Sequence, residues 1–308
     1  MCEALVTIIV LNWNGQKLLG ECLESLRSST YRSLEVLVVD NGSTDGSKDI
    51  ATLYSECKFI EVGRNIGFCA GNNMGFSLAN GEFIAILNND MVVDPDWISE
   101  AVKLFKAHPS VGIVSCRQMN YFDNGLVDGL FHIVEGDLRI GPLGYGQNLA
   151  DVPEAMQAGM VLSANGGSAM FRKDVINRTK GFDERFFAYC EEVDLCMRAF
   201  WDGWDCAYSP KAVVFHKDSQ SFGKRSPLKL YLTERNRILC LLKNVPASIL
   251  FARIPKILLW EIRAFRIYCL KFRTPEVYWR SRFEALRLAP RVLRDRKRFN
   301  KERKLRFK

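Results

Sequence analysis

No run of roughly 18 or more uncharged apolar residues occurs in this chain, so no membrane-spanning helix is expected. The first apolar run, Val6–Leu11, is short and follows no basic region, so no signal peptide is expected either. Histidine is scarce, with three residues, and no two stand at ligand spacing; the ten cysteines include no Cys-x-x-Cys. That pattern argues against a structural zinc site. Cys22 and Cys196 instead occupy apolar positions of helical patterns, where cysteine behaves as a small hydrophobe, and free thiols in a reducing cytoplasm are the expectation. No Gly-x-Gly-x-x-Gly follows the first apolar run, and no Gly-x-x-x-x-Gly-Lys-Ser/Thr occurs. Both absences disfavour a dinucleotide oxidoreductase and a P-loop phosphotransferase. There is no internal repeat.

What is present is a globular composition. Of 308 residues, 48% are hydrophobic and 25% charged, enough apolar surface to bury a real core and enough length for two domains or one with an appendage. The net charge of +8 is unevenly spread. Residues 253–308 hold 19 Lys/Arg against 5 Asp/Glu, a balance of +14, so the preceding residues carry −6. A mildly acidic globule bears a strongly basic tail. We place the boundary at 244/245, with residues 1–244 as the main domain and 245–308 as a basic amphipathic extension.

Two periods alternate in the first part of the chain. Val6–Leu11, Leu34–Val39, Phe59–Val62, Phe83–Leu87 and Val111–Cys116 are short apolar runs suited to buried strands. Between them, Leu18, Leu19, Cys22, Leu23 and Leu26 repeat at helical spacing, and Pro95 precedes a helix carrying Ile98, Val102 and Phe105. Alternation of this kind predicts an α/β fold with a doubly wound, mostly parallel sheet flanked by helices. Residues 120–158 lack periodicity and read as a long loop or small hairpin. A helix is predicted from Glu192 to Trp201, short strands at Cys206–Tyr208 and Ala212–His216, and helices after Pro227, with Pro275 and Pro290 as interruptions.

In an open parallel sheet, ligands bind beyond the carboxyl ends of the strands. Polar residues gather there: Asn12-Trp13-Asn14-Gly15, Asp40-Asn41-Gly42-Ser43-Thr44-Asp45 and Asn88-Asn89-Asp90. Taken singly, each has a plain alternative. Asp40 and Asp90 suit turns and helix caps, and Trp13 suits a core. On successive strand ends they suit a site for a base, a ribose and a cation. Asp90 is a hard oxygen ligand of the kind Mg²⁺ or Mn²⁺ takes.

The chain resembles the family 2 inverting glycosyltransferases of the GT-A fold, in their rhamnosyltransferase-like branch. The resemblance runs from about Val6 to Asn244. It rests on Thr7–Gly15, Val38–Asp45, Asn65-Ile66-Gly67-Phe68, Gly71-Asn72-Asn73, Gly81-Glu82-Phe83, Leu87–Asp90, Gly181–Glu184 and Glu191–Arg198, in that order. It implies transfer of a sugar, rhamnose-like or hexose, from a nucleoside diphosphate sugar to a hydroxyl of a glycan or lipid-linked acceptor in polysaccharide or cell-surface glycan assembly. By the same resemblance Trp13 lies against the base with Leu11 beside it, and Asp40 contacts base or ribose. Asn65, Gly71, Asn72, Asn73 and Asn89 line the nucleotide pocket, and Arg235 lies near the donor phosphates. Asp90 and His216 are the implied contacts to Mg²⁺ or Mn²⁺. Two departures stand out: the metal motif reads Asn-Asn-Asp, with one carboxylate, and the family's Glu-Asp pair is Glu191-Glu192. The catalytic base maps to Glu192, with Glu191 or Asp194 as alternatives. Without the resemblance, these three acids read as the N-terminal turn of a helix, which its dipole stabilises.

The tail has three readings. Its Arg294-Asp295-Arg296-Lys297-Arg298 run could neutralise nucleic-acid phosphates. It could instead pack on its own domain as a solvated basic helix. Its basic amphipathic helices, with Leu258, Trp260, Tyr268 and Trp279 among arginines, suit an anionic membrane surface better. We therefore expect a cytoplasmic protein held peripherally at the inner face of the membrane, with no nucleic-acid partner. The alternative is a non-catalytic sugar-nucleotide-binding subunit whose tail binds nucleic acid.

Overall fold

The computed structural model describes residues 3–217 and 226–296. Lys297, Arg298 and the rest of the basic terminus lie outside the described residues. In chain order the strands are β1 (Val6–Asn12), β2 (Leu34–Asp40), β3 (Cys57–Glu61), β4 (Phe83–Asn88), β5 (Met91–Val93), β6 (Val111–Asn120), β7 (Val127–Gly129), β8 (His132–Val134), β9 (Ile140–Pro142), β10 (Gly159–Val161), β11 (Met170–Arg172) and β12 (Asp205–His216). The helices are α1 (Gln16–Arg27), α2 (Ser47–Thr52), α3 (Phe68–Leu78), α4 (Trp97–Ala107), α5 (Lys173–Thr179), α6 (Glu191–Trp201), α7 (Pro227–Asn244), α8 (Ala247–Ala252), α9 (Ile254–Phe265) and α10 (Pro275–Arg294).

The five apolar runs become β1, β2, β3, β4 and β6; β1, β4 and β6 are buried on both faces, while β3, at the sheet edge, is only half-buried. One sheet has the order β10-β12-β6-β11-β4-β1-β2-β3, with β5 added to β12 and β7 to β6. Strands β3, β2, β1 and β4 are parallel, as are β6 and β12; β11 enters antiparallel between β4 and β6. The period of two divides the side chains between two layers. Ile9, Leu37, Val39, Ile84 and Ile86 face a core shared with α3, α6 and α7. Ile8, Val10, Val38, Ala85 and Leu87 face the other, closed by Leu19, Leu23 and Leu26 of α1 and by Trp97, Ala101 and Phe105 of α4.

Several details depart from the pattern-based expectation. The aperiodic stretch 120–158 contains β7 and an antiparallel β8–β9 hairpin. The two short strands expected at 206–208 and 212–216 are one strand, β12, whose register shifts between Ser209 and Val213. Pro275 opens α10, where its missing N–H is harmless. Pro290, expected to interrupt, lies inside α10. Leu288 and Val292 on either side of it are buried, so packing carries the helix past it. Ala285, Leu288 and Val292 join the main core beside Leu239 and Val245, so the inner face of α10 is part of the globule. Its outer face is open. No helix among the described residues is long and apolar enough to cross a membrane, and the nine described cysteines are free thiols, mostly buried.

Candidate active site

A cavity of about 550 Å³ opens beyond the carboxyl ends of β1, β2 and β4. Leu11, Trp13, Asn41, Asn65 and the Asn88-Asn89-Asp90 turn line one side, with Asp128 and His216 beside Asp90; His132, Glu191 and Glu192 line the other. Buried amides knit the strand ends together. Asn12 donates to Asp40 Oδ1 at 2.9 Å and accepts from Asn89 Nδ2 at 2.7 Å. Gly15 is required here, since a Cβ would lie 1.9 Å from Asn89 Nδ2.

The other nucleotide-pocket candidates divide by position. Asn65 lines the cavity, its Oδ1 accepting from Asn41 Nδ2 and from the Gly67 amide. Asp40 sits one layer behind, its carboxylate occupied by Asn12 and by the amide and hydroxyl of Ser43. Gly71 lets α3 approach β1, where a Cβ would meet Leu11 Cδ1 at 2.6 Å, so it shapes the Leu11 wall without lining it. Asn72 donates to the Phe68 carbonyl, and Asn73 brackets the backbone of Phe182 from both sides. Neither is among the residues lining the cavity.

One corner collects cation ligands. His216, ending β12, places Nε2 at 3.4 Å from Asp90 Oδ2 and Nδ1 at 2.7 Å from Asp128 Oδ2. Burial pulls the imidazole down, but the hydrogen bonds to Asp128 and Asp90 outweigh it and push it up to about 10. The second oxygen of Asp90, Oδ1, is buried without a hydrogen-bond partner. No group of three His, Cys, Asp or Glu in metal-binding arrangement occurs among the described residues. A carboxylate oxygen left unsatisfied beside an imidazole nevertheless fits a hard divalent cation whose remaining positions are filled from a ligand.

The opposite wall is the start of α6. Glu191 and Glu192 are buried in its first turn, and Glu192 Oε1 lies 3.2 Å from His132 Nδ1. That nitrogen is also 3.3 Å from the Ala164 carbonyl, so two acceptors face it and the proton belongs there. Burial, then the charge of Glu192, pushes the Glu191 carboxyl well above its ordinary range. Glu191 Oε2 is buried without a hydrogen-bond partner. The chain reaches them through an unusual hook: Phe187, Tyr189 and Cys190 all have positive φ, at 66°, 71° and 65°. Non-glycine residues in such conformations cost of order 1–3 kcal/mol each and collect at functional sites.

Two further candidates do not reach the cavity either. Asp194 is fully buried, bound by Arg198 Nε at 2.7 Å, Lys243 Nζ at 2.9 Å and Asn244 Nδ2 at 2.8 Å. It ties α6 to α7. Arg235 turns away toward the hook and donates to the carbonyls of Arg185 and Phe186. Asp128 and His132, in contrast, escaped the sequence reading. They lie in the aperiodic stretch, where a lone acid and a lone histidine between short apolar segments were the only signals.

Residues 7–158 match the family model described as Glycosyl transferase family 2. The chain carries a family 2 glycosyltransferase domain. It is similar to an N-acetylglucosaminyl-diphospho-decaprenol L-rhamnosyltransferase of Mycobacterium tuberculosis, at 26% identity over 70% of this chain and 77% of that protein. It also resembles the O-antigen biosynthesis protein RfbC of Myxococcus xanthus, at 29% identity over 70% of this chain but 17% of that much longer one. Among solved structures, a mannosyltransferase from Pyrobaculum calidifontis, in complex with GDP-Man and Mn²⁺, superposes with a TM-score of 0.59 at 19% identity, covering 96% of this chain and 89% of that one. S. aureus TarS in complex with UDP-GlcNAc gives 0.62 at 18%, covering 94% and 82%. The fold of this transferase is GT-A, with the cavity at the end of the sheet where that architecture binds its ligands.

Proposed function

We propose that the chain is an inverting glycosyltransferase that moves a sugar from a nucleoside diphosphate donor to a hydroxyl of a lipid-linked glycan acceptor, in cell-surface polysaccharide assembly. The observation that carries this reading is one cavity with a carboxylate pair on the α6 wall and the Asp90–His216 corner on the other. Trp13 and Leu11 would hold the base, with Asn41, Asn65 and Asn89 beside the nucleotide. Glu192 would take the proton of the acceptor hydroxyl as its oxygen attacks the anomeric carbon from the face opposite the leaving group. The bond to the phosphate oxygen breaks with its electron pair, and the configuration inverts. His132 would hold the Glu192 carboxylate in place, and a protonated Glu191 would leave the negative charge on its neighbour. Such a base contributes about 10²–10⁴-fold.

Asp90 and His216 would hold a divalent cation, Mg²⁺ or Mn²⁺, with Asp128 orienting the imidazole. Bound there, the metal would neutralise charge building on the departing diphosphate. The mannosyltransferase neighbour, solved with Mn²⁺, supports this assignment.

We assign the chemistry to residues 1–244 and a membrane-facing role to 245–308. Leu258, Leu259 and Ile262 of α9 and Trp279, Phe283 and Leu286 of α10 are more than half exposed. Phe265 packs on Trp279, joining the two stripes. Around them Lys256, Arg263, Arg266, Arg280, Arg287 and Arg291 are exposed. An apolar face ringed by cations suits an anionic bilayer better than a duplex. Ala264 of α9 and Tyr268 of the turn after it share a hydrophobic cluster with Phe187 and Tyr189, which line the cavity. A bilayer on that face would bring a lipid-linked acceptor to the site; the rhamnosyltransferase relative, named for a diphospho-decaprenol acceptor, supports this. The test is sugar release and transfer with purified protein, Mn²⁺ or Mg²⁺ and a panel of nucleoside diphosphate sugars. Binding without turnover on every donor would leave the non-catalytic subunit instead.

A further inference from the structure

We propose that Asn236 is a positioning residue for the Glu191–Glu192 pair, with Arg235 fixing the orientation of its amide. Asn236 is fully buried on α7, and its Nδ2 lies 2.8, 2.7 and 2.8 Å from the carbonyl oxygens of Phe186, Ala188 and Tyr189. Two amide hydrogens thus serve three acceptors on one short segment. Arg235 Nε donates to Asn236 Oδ1 at 2.8 Å, and that bond turns the –NH₂ end toward the carbonyls. Arg235 Nη2 adds bonds of 2.9 Å to the carbonyls of Arg185 and Phe186.

The segment so held is the hook that delivers the two glutamates. Phe187, at φ 66° and ψ −58°, is the centre of a tight turn closed by the Ala188 amide on the Phe186 carbonyl at 2.8 Å. This positive-φ γ-turn is rare and strained. Tyr189 and Cys190 follow in the left-handed region, and Cys190 directly precedes Glu191. Three residues out of their preferred conformations do not stay there unless surrounding contacts over-determine them. The Asn236 amide bonds on both sides of Phe187 and again at Tyr189, so it opposes relaxation at each step. Relaxation would rotate the peptide before Glu191 and swing both carboxyls off the cavity wall. Neither Asn236 nor Arg235 lines the cavity, so both act through Glu191 and Glu192 rather than on substrate.

The inference rests on the transferase reading for its kinetic consequence, but its structural core can be tested apart from it. In the full-length protein, Asn236→Ala should raise amide hydrogen exchange across residues 186–192 by about tenfold or more while other core segments hold. The affinity for UDP, GDP or dTDP, whichever the wild type binds, should stay within about threefold, while turnover falls on the order of 10²-fold, the loss expected of a catalytic group displaced by about 1 Å. Adding Cys190→Gly should recover much of that rate, because glycine adopts φ near 65° without strain. Should Asn236→Ala not fold, Arg235→Gln keeps the Asn236 amide but removes the bond that orients it and the two Arg235 bonds to the Arg185 and Phe186 carbonyls; it should loosen the same segment. Unchanged exchange at 186–192 in the folded variant overturns the proposal. So does a nucleotide affinity that falls in step with turnover, which would make this pair a donor contact. A wild-type protein that turns over no donor, yet shows the exchange result, would sink the transferase reading and leave the clamp standing.

Discussion

Replacing Asp194 by asparagine separates a structural acid from a catalytic one within a single helical turn. Asp194 is one of three carboxyls in the first turn of α6, and its sequence position made it a candidate base. In the fold it is fully buried between Arg198 at 2.7 Å and Lys243 at 2.9 Å. Breaking a buried ion pair by neutralising one partner costs about 3–5 kcal/mol, because the cations remain buried. The lower end applies here. Lys243 keeps Asp183 at 2.7 Å, and Arg198 keeps the carbonyls of Thr179 and Gly181. A loss of about 3 kcal/mol corresponds to a fall in Tm of roughly 6–12 °C for a domain of this size. The pH dependence has a definite sign. Burial raises the Asp194 carboxyl, but Arg198 and Lys243 outweigh it and hold it below its ordinary value. Its contribution is therefore fully present above the unfolded value of about 3.9 and is lost as the pH falls through the lower folded value. Asp194→Asn should flatten that acid limb while leaving the turnover of the folded enzyme, assayed well below its Tm, within about threefold of wild type. Differential scanning calorimetry from pH 3 to pH 7, alongside donor hydrolysis, measures both. A variant with unchanged Tm and no activity would refute the structural assignment.

Glu192→Gln should behave in the opposite way: Tm nearly unchanged, nucleotide affinity held, and turnover lowered by about 10²–10⁴-fold. If Glu191→Gln is the inactive variant and Glu192→Gln is not, the two roles are exchanged. Asp90→Ala should abolish the part of donor binding that EDTA removes from wild type, read by calorimetric titration with and without Mn²⁺; a residual EDTA effect of full size would exclude Asp90 as a ligand. For the C-terminal face, reversing Lys256, Arg263 and Arg266 to glutamate should release the protein from anionic vesicles. Each basic residue at such a surface is worth about 1 kcal/mol, so losing three alone weakens binding by roughly 10²-fold. Equal flotation of wild type on neutral and anionic vesicles would rule out the electrostatic anchor.

The legible parts of this protein are those whose signals are local. Strands β1, β2 and β4 are mostly apolar because both faces are largely buried, and a run that ends in polar residues marks its own carboxyl end. Trp13, Asn89 and Asp90 stood out from strand-end pattern alone, whereas Leu11, Asn65, His216, Glu191 and Glu192 were singled out by the family resemblance; all of them line one cavity. What the sequence could not carry was the direction in which a side chain finds its partner across the fold. Asp194 is set apart from Glu192 by its partners, Arg198 one turn on and Lys243 and Asn244 about 50 residues away on α7. Asp40 and Arg235 sit in recognisable motifs yet point to neighbours inside the protein, toward Asn12 and Ser43 in one case and the strained hook in the other. Asp128 and His132 lie in an aperiodic stretch, and only the pairing of β7 with β6 and of β8 with β9 brings them to the carboxyl ends of the sheet. Local pattern decides which residues a strand end or a helix turn presents; long-range packing decides which of them meet solvent and ligand, because only packing determines where a buried charge has its counter-charge.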